Sequence, residues 1–262
     1  MPIAKINGQG IAFDDTGGDG PAVILAHGFL MDRSMFEAQV AALSDRYRVI
    51  TWDGRSCGDT EWDGGPFTYW DSAADCVGLL DHLGIDRAVV GGMSQGGFVS
   101  LRVALTDADR VRGLILLDTQ AGPEDPEVMP LYQGMIDDWV TNGPTAELAD
   151  TTASIIIGDP ALNEQWTAKW LQRSVTEMLE SGATLLGRDS LWDRLDEITA
   201  PALVVHGDQD VAVSLDKAQR MADGLSGCSG VVVVEGGTHS ANMTHPEIVN
   251  AAIGSFLASL TS

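Results

Sequence analysis

Cysteine is scarce in this chain. Cys57, Cys76 and Cys228 are scattered over 262 positions, with no C-x-x-C pair and no Cys/His cluster at metal-ligand spacing. That argues against a disulfide framework and against a bound metal, and free thiols in a reducing compartment are expected. Cys76 and Cys228 read as small apolar core residues. Lysine is equally sparse. Only Lys5, Lys169 and Lys217 occur, and 15 basic residues face 38 acidic ones, leaving a net charge of −23. A field of that sign repels nucleic acid and anionic membrane surfaces, so neither is expected as a partner. The acid excess suits a strongly hydrated, salt-tolerant surface, although a coding bias toward Asp and Arg is the plainer account. Long hydrophobic runs are missing too: stretches such as 22–26 and 231–234 fall far short of the ~20 residues a membrane helix needs. The opening MPIAKINGQG has no basic segment leading into an apolar one, so a cytoplasmic location is expected.

What is present is an ordinary globular balance, 44% hydrophobic and 20% charged, which speaks against disorder and coiled coils. The length suits one α/β unit carrying an insertion. Short apolar runs alternate with helical patterns, the signature of a mainly parallel sheet covered on both faces. An antiparallel opening hairpin is expected over 4–7 and 10–14, then strands over 22–26, 47–52, 87–92, 111–117, 202–206 and 230–235. Helices are expected over 34–43, 70–83, 95–105, 215–225 and 246–260, the last with Pro246 in its first turn. Residues 122–187 break this rhythm, with helical patches and no convincing strand. We divide the chain accordingly into a core, 1–121 and 188–262, and a helical cap, 122–187. Trp166 and Trp170, spaced i, i+4, share one helical face and are expected to pack cap onto core.

The chemistry-bearing segment is AVVGGMSQGGFVSLRVAL at 88–105, a strand, a glycine-rich turn and a helix. It contains Gly92-Met93-Ser94-Gln95-Gly96, a G-x-S-x-G pattern in the strand–turn–helix context that gives it meaning. A serine on so sharp a turn is strained, and small residues two before and two after let strand and helix approach. Its Oγ is exposed at a helix N-terminus, which favours developing negative charge. A serine nucleophile needs a base, and the base an orienting acid. Of five histidines, His82 and His206 read as structural, His27 as scaffold and His245 as the residue leading into a helix. His239, in a loop after the last strand, is the candidate base. For the acid, Asp210 leads in Gly207-Asp208-Gln209-Asp210; Asp118 at another strand end comes second and Asp208 last. His27-Gly28-Phe29-Leu30 follows an apolar strand, where Gly28 lets the backbone turn back over the nucleophile. The Phe29 and Gln95 N–H groups would then form an oxyanion hole, worth about 2.7–4 kcal/mol per donor.

Together these pieces resemble the serine α/β-hydrolase superfamily over nearly the whole chain, in particular its small capped carboxylesterase, enol-lactonase and cofactor-free haloperoxidase group. HGF at 27–29 is similar to that group's oxyanion segment, GMSQGG at 92–97 to its nucleophile elbow, and GDQD at 207–210 to its G-x-x-D acid segment, which favours Asp210. His239 stands seven residues before Pro246, as in the group. The resemblance implies an α/β-hydrolase fold, a mostly parallel eight-stranded sheet with a helical cap, and a triad Ser94, Asp210, His239. It implies no cofactor and a small apolar ester or lactone as substrate; the oligomeric state stays open, a homo-oligomer included. One loop departs: Asp53-Gly54-Arg55-Ser56-Cys57-Gly58 has Ser56 where the group commonly has glycine, and it leaves Cys57 a candidate exposed, reactive thiol near the pocket. Leu30, Met31 and Met93, beside the key positions, are expected to make that pocket apolar. Perhydrolase or haloperoxidase-type chemistry and C–C bond hydrolysis share the triad; the latter would want an arginine such as Arg55, Arg173 or Arg188 for a substrate carboxylate. A non-catalytic small-ligand receptor on this fold is the alternative of another class.

Overall fold

The structure, a computed structural model, describes residues 2–260. Eight strands form one sheet: β1 (Ile3–Ile6), β2 (Gln9–Asp15), β3 (Ala22–Ala26), β4 (Arg48–Trp52), β5 (Ala88–Met93), β6 (Val111–Leu117), β7 (Ala202–Gly207) and β8 (Cys228–Val234). Their spatial order is β1-β2-β4-β3-β5-β6-β7-β8. Strands β1–β2 and β2–β4 pair antiparallel, and every pair from β4 onward is parallel. The central strands β3 and β5 are buried at every position, as strands covered on both faces must be. At the far edge β8 leaves Val232 and Val233 exposed.

Right-handed crossovers decide which face each helix covers. The step from β3 to β4 runs one way across the sheet, whereas β4 to β5, β5 to β6 and β7 to β8 run the other. Helix α1 (Glu37–Leu43), preceded by a 3-10 turn at Arg33–Phe36, therefore lies on one face. Helices α2 (Tyr69–His82), α3 (Gln95–Thr106) and α8 (Leu215–Gly224) lie on the other. The packing agrees: α2 lies on α3, and α10 (Pro246–Ser259) lies on α1. A short α9 (Ala241–Thr244) leads into α10. Because the chain leaves β3 and β5 in opposite directions, a crevice opens at their carboxyl ends, the place where open α/β sheets bind ligands.

Between β6 and β7 the chain forms α4 (Met129–Asn142), α5 (Ala146–Ile156), α6 (Pro160–Trp170) and α7 (Val175–Leu186). Local chemistry sets their starts. Asp159 caps α6 ahead of Pro160, and Ser174 and Glu177 make a capping box on α7. Trp166 and Trp170 are both buried, and Trp170 Nε1 donates to Leu30 O at 2.7 Å. The tryptophan pair thus joins the inserted helices to the loop after β3. Expected elements and observed ones differ chiefly at their ends, β8 by two residues at its start and α1 by the 3-10 turn that replaces its first turn.

Replacing Trp170 by Phe keeps the aromatic packing but leaves the Leu30 carbonyl buried without its donor. We expect a loss of about 1–3 kcal/mol in unfolding free energy, read from the urea midpoint at unchanged m-value.

Candidate active site

Ser94 sits between β5 and α3 at φ +51°, ψ −112°, a conformation an L-residue adopts only when its surroundings impose it. Its N–H donates to Leu117 O at 2.9 Å, and its carbonyl accepts the Thr119 hydroxyl at 2.7 Å and the Gly97 N–H at 2.9 Å. Strand β5 and helix α3 close on β3 here: a Cβ at either Gly92 or Gly96 would run into the Ala26 carbonyl oxygen. The glycines therefore serve close approach, not flexibility.

Three side chains expected to act together are together. His239 Nε2 lies 3.0 Å from Ser94 Oγ, and His239 Nδ1 lies 2.8 Å from Asp210 Oδ2. With Asp210 accepting at Nδ1–H, Nε2 is left as the acceptor for the serine proton. The other Asp210 oxygen accepts the N–H groups of Ala212 and Val213 at 2.9 and 2.8 Å. Burial would raise the Asp210 pKa, but the His239 charge and these hydrogen bonds outweigh it and hold it below the usual carboxylate value. Burial would likewise lower that of His239; the Asp210 charge and hydrogen bond, helped by Asp118 and Glu124, raise it above 6.5 instead.

The runner-up residues have other partners. Asp118, at φ +46°, accepts the N–H groups of Gly207 at 2.9 Å and Ala241 at 3.2 Å, linking the ends of β6 and β7 to the segment after His239. Burial, then the neighbouring Asp210 charge, pushes its pKa well up. Asp208 accepts from Gly236 N in an exposed turn. His206 donates from Nε2 to Val213 O at 2.8 Å, and burial lowers its pKa, so it stays neutral beside Asp210. His27 Nδ1 donates to Gly28 O, and its Nε2 accepts from Gly54 N. Asp118, His206 and Asp210 bring possible ligand atoms within 4.8 Å of one another, a cluster the sequence did not suggest. Each of the three already carries the hydrogen bonds just named.

Phe29 lies in the turn closed by Met31 N donating to Gly28 O, and Gln95 opens α3, where N–H groups lack intrahelical acceptors. The Gln95 side chain ties the two segments together, donating to Gly28 O at 3.2 Å and accepting the Tyr69 hydroxyl at 3.1 Å. Phe29, Met93, Ser94 and His239 all line a cavity of about 160 Å³, whose opposite wall comes from α4, α5 and α7.

Two expectations are corrected. Leu30 and Met31 do not line this cavity; the turn that presents Phe29 sends them to a surface groove beside Trp166 and Trp170. Met93 does line it, while its sulfur also fills the space over Gly28. Cys57 is buried, not exposed, with Arg173 Nη2 3.6 Å from its sulfur, and it borders a separate small cavity. Ser56 holds φ +63°, the conformation for which glycine is usual, and its carbonyl accepts from Arg173 at 2.6 Å. The candidate arginines are likewise engaged away from Ser94: Arg55 on Asp75, Arg173 on Ser56 O, and Arg188 on Glu124.

A family model described as alpha/beta hydrolase fold matches residues 21–246. The chain belongs to the α/β-hydrolase family. It is 28% identical to a 3-oxoadipate enol-lactonase 2 of Acinetobacter baylyi, covering 90% of this chain and 88% of that one. Among solved structures, a thermophilic esterase from Thermogutta terrifontis superposes with a TM-score of 0.88 at 30% identity, over 97% of this chain and 95% of that one. An enol-lactonase from Burkholderia xenovorans LB400 superposes at 0.87 with 27% identity, over 98% and 100%. The α/β-hydrolase has no helix among its described residues long and apolar enough to cross a membrane.

The close approach at the elbow gives a direct test. Gly96→Ala drives a methyl group into the Ala26 carbonyl, where backbone and not a flexible side chain would have to yield, and we expect a destabilisation of about 3 kcal/mol or more, measured by chemical denaturation, together with loss of any activity that needs Ser94.

Proposed function

We propose that this hydrolase is serine-dependent and cleaves a small carboxylic ester or lactone through an acyl-enzyme. The observation that carries the reading is the unbroken Ser94–His239–Asp210 hydrogen-bond chain at the wall of a largely apolar cavity. Ser94 Oγ attacks the carbonyl carbon as His239 Nε2 takes its proton, and Asp210 stabilises the imidazolium that results. The oxyanion is held by the backbone N–H groups of Phe29 and Gln95, which the Gln95 side chain keeps in register. His239 then protonates the leaving alkoxide, and for a lactone that oxygen stays tethered to the acyl group. Water, deprotonated by the same imidazole, releases the acid.

Helices α4–α7 act as the cap. They supply Tyr132, Met135, Ile155 and Leu185 to the cavity, and the volume suits an acyl group near the size of the benzene-sized guests that cavities of about 150 Å³ accept. Among the described residues no arginine or lysine lines the cavity, which favours esters and lactones over a C–C hydrolase that anchors its substrate by a carboxylate.

The test is turnover of a panel of p-nitrophenyl esters and simple lactones, with Ser94→Ala in parallel. Wild-type turnover that falls by several orders of magnitude in the variant is expected; equal rates in both proteins would overturn the assignment. Because His239 must be neutral to act and its pKa is raised, kcat/KM should fall with decreasing pH through a midpoint above 6.5. Asp210→Asn should lower kcat by about 10⁴-fold, and both quantities come from pH-resolved steady-state kinetics.

A further inference from the structure

One part of the cavity wall is not apolar. Glu124, on the segment between β6 and α4, lines the cavity with its side chain only 6% exposed, where an unpaired carboxylate would be costly. Its Oε1 accepts from Arg188 Nη2 at 2.7 Å. Arg188 is fixed behind the wall: Nε donates to Gly122 O at 2.9 Å, Nη1 to Leu185 O at 2.6 Å, and the guanidinium lies 4.4 Å from the Phe98 ring centre. The charge is thereby balanced, but the second carboxylate oxygen is not well used. Among the described residues Oε2 has only Gln120 Nε2 at 3.4 Å, long for a bond to a carboxylate. Gln120 itself is fully buried, and its Oε1 has no partner among the described residues.

Tyr132 of α4 lines the same cavity, and its hydroxyl has no hydrogen-bond partner among the described residues. Burial raises its pKa and the Glu124 charge raises it further, so the phenol keeps its proton and stays both donor and acceptor. A buried ion pair adds little to stability that packed apolar side chains would not. An under-used carboxylate oxygen and an idle hydroxyl on the wall of a substrate cavity call for another explanation.

We infer that Glu124 and Tyr132 form a polar subsite for a hydroxyl on the acyl part of the substrate, making the substrate class a hydroxy-substituted ester or lactone. The inference rests on the serine-hydrolase reading above. A hydroxyl satisfies both groups, donating its proton to Glu124 Oε2 and accepting the Tyr132 O–H. A plain alkyl chain satisfies neither, and a carboxylate meets an acceptor-only Glu124 and is repelled.

The experiment compares kcat/KM, by pH-stat, for methyl pentanoate, its 3-hydroxy and 5-hydroxy derivatives, and monomethyl glutarate as the carboxylate analogue. At least one hydroxy ester should exceed methyl pentanoate by about ten-fold, the discrimination expected when buried polar groups are left unpaired by the wrong substrate, and the glutarate should fall below both. The ratio should drop several-fold in Tyr132→Phe. It should approach one in the double variant Glu124→Leu, Arg188→Leu, which leaves no lone buried charge. Each ratio is taken within one protein, so a general loss of activity cancels. If no hydroxy ester exceeds its parent by two-fold in the wild type, or if Tyr132→Phe keeps the full preference, the subsite is wrong while the hydrolase reading stands. If no ester is turned over and a fluorophosphonate fails to label Ser94, both fall.

Discussion

The site depends on a backbone conformation that an L-residue resists. Ser94 is held at positive φ, a state costing on the order of 1–3 kcal/mol, and it stays there because its N–H is tied to the last residue of β6 and its carbonyl to Thr119 just beyond. Those ties reach only because β5 and α3 come within backbone contact of β3, which Gly92 and Gly96 permit. Everything else at the crevice takes its position from that turn. Ser94 stands at the N-terminus of α3, Phe29 shares the cavity wall with it, and His239 finds Oγ at hydrogen-bond distance.

On the opposite side, the segments that follow β6, β7 and β8 are tied together by two buried carboxylates whose pKa values are shifted in opposite directions. Asp210 accepts three hydrogen bonds from His239, Ala212 and Val213 and is held charged. Asp118 accepts two backbone N–H groups, and burial beside Asp210 pushes its pKa the other way. Two acids in one buried cluster thus have separate tasks, set by their surroundings and not by their residue type. His206, its pKa lowered by burial, lies beside them with Nε2 3.3 Å from Asp210 Oδ2 and donates to the Val213 carbonyl.

The sheet and the Ser94, His239, Asp210 constellation were legible because each has a short-range signature. Apolar runs of five to seven residues mark buried parallel strands, and a serine between glycines at a strand–helix junction has few other uses. Side-chain direction was not legible. Leu30 and Met31 adjoin Phe29 in sequence, yet the turn at Leu30, with φ +65°, sends them away from the cavity. The sequence leaves open an exposed Cys57 in this glycine-containing loop, but Arg173, from the turn between α6 and α7, lies against it and it is buried. Glu124 sits in the stretch GPEDPE, where neighbouring residues give no sign of a basic partner. Only the fold brings Arg188, more than sixty residues on, to its side.

The inserted helices do more than roof the cavity. Trp170 grips the Leu30 carbonyl, one residue from Phe29, and Arg173 grips Ser56 in the loop after β4. Parts of the crevice that belong to the sheet are thus braced by the segment that shapes the pocket. The segment that shapes the pocket and the sheet loops that it braces are consequently not separable modules in this chain. A graft that exchanged residues 129–186 for another set of helices would bring a new pocket and at the same time unfasten the turn that carries Phe29. Evolution of new specificity here is channelled toward changes on α4, α5 and α7 that leave the end of α6 in place.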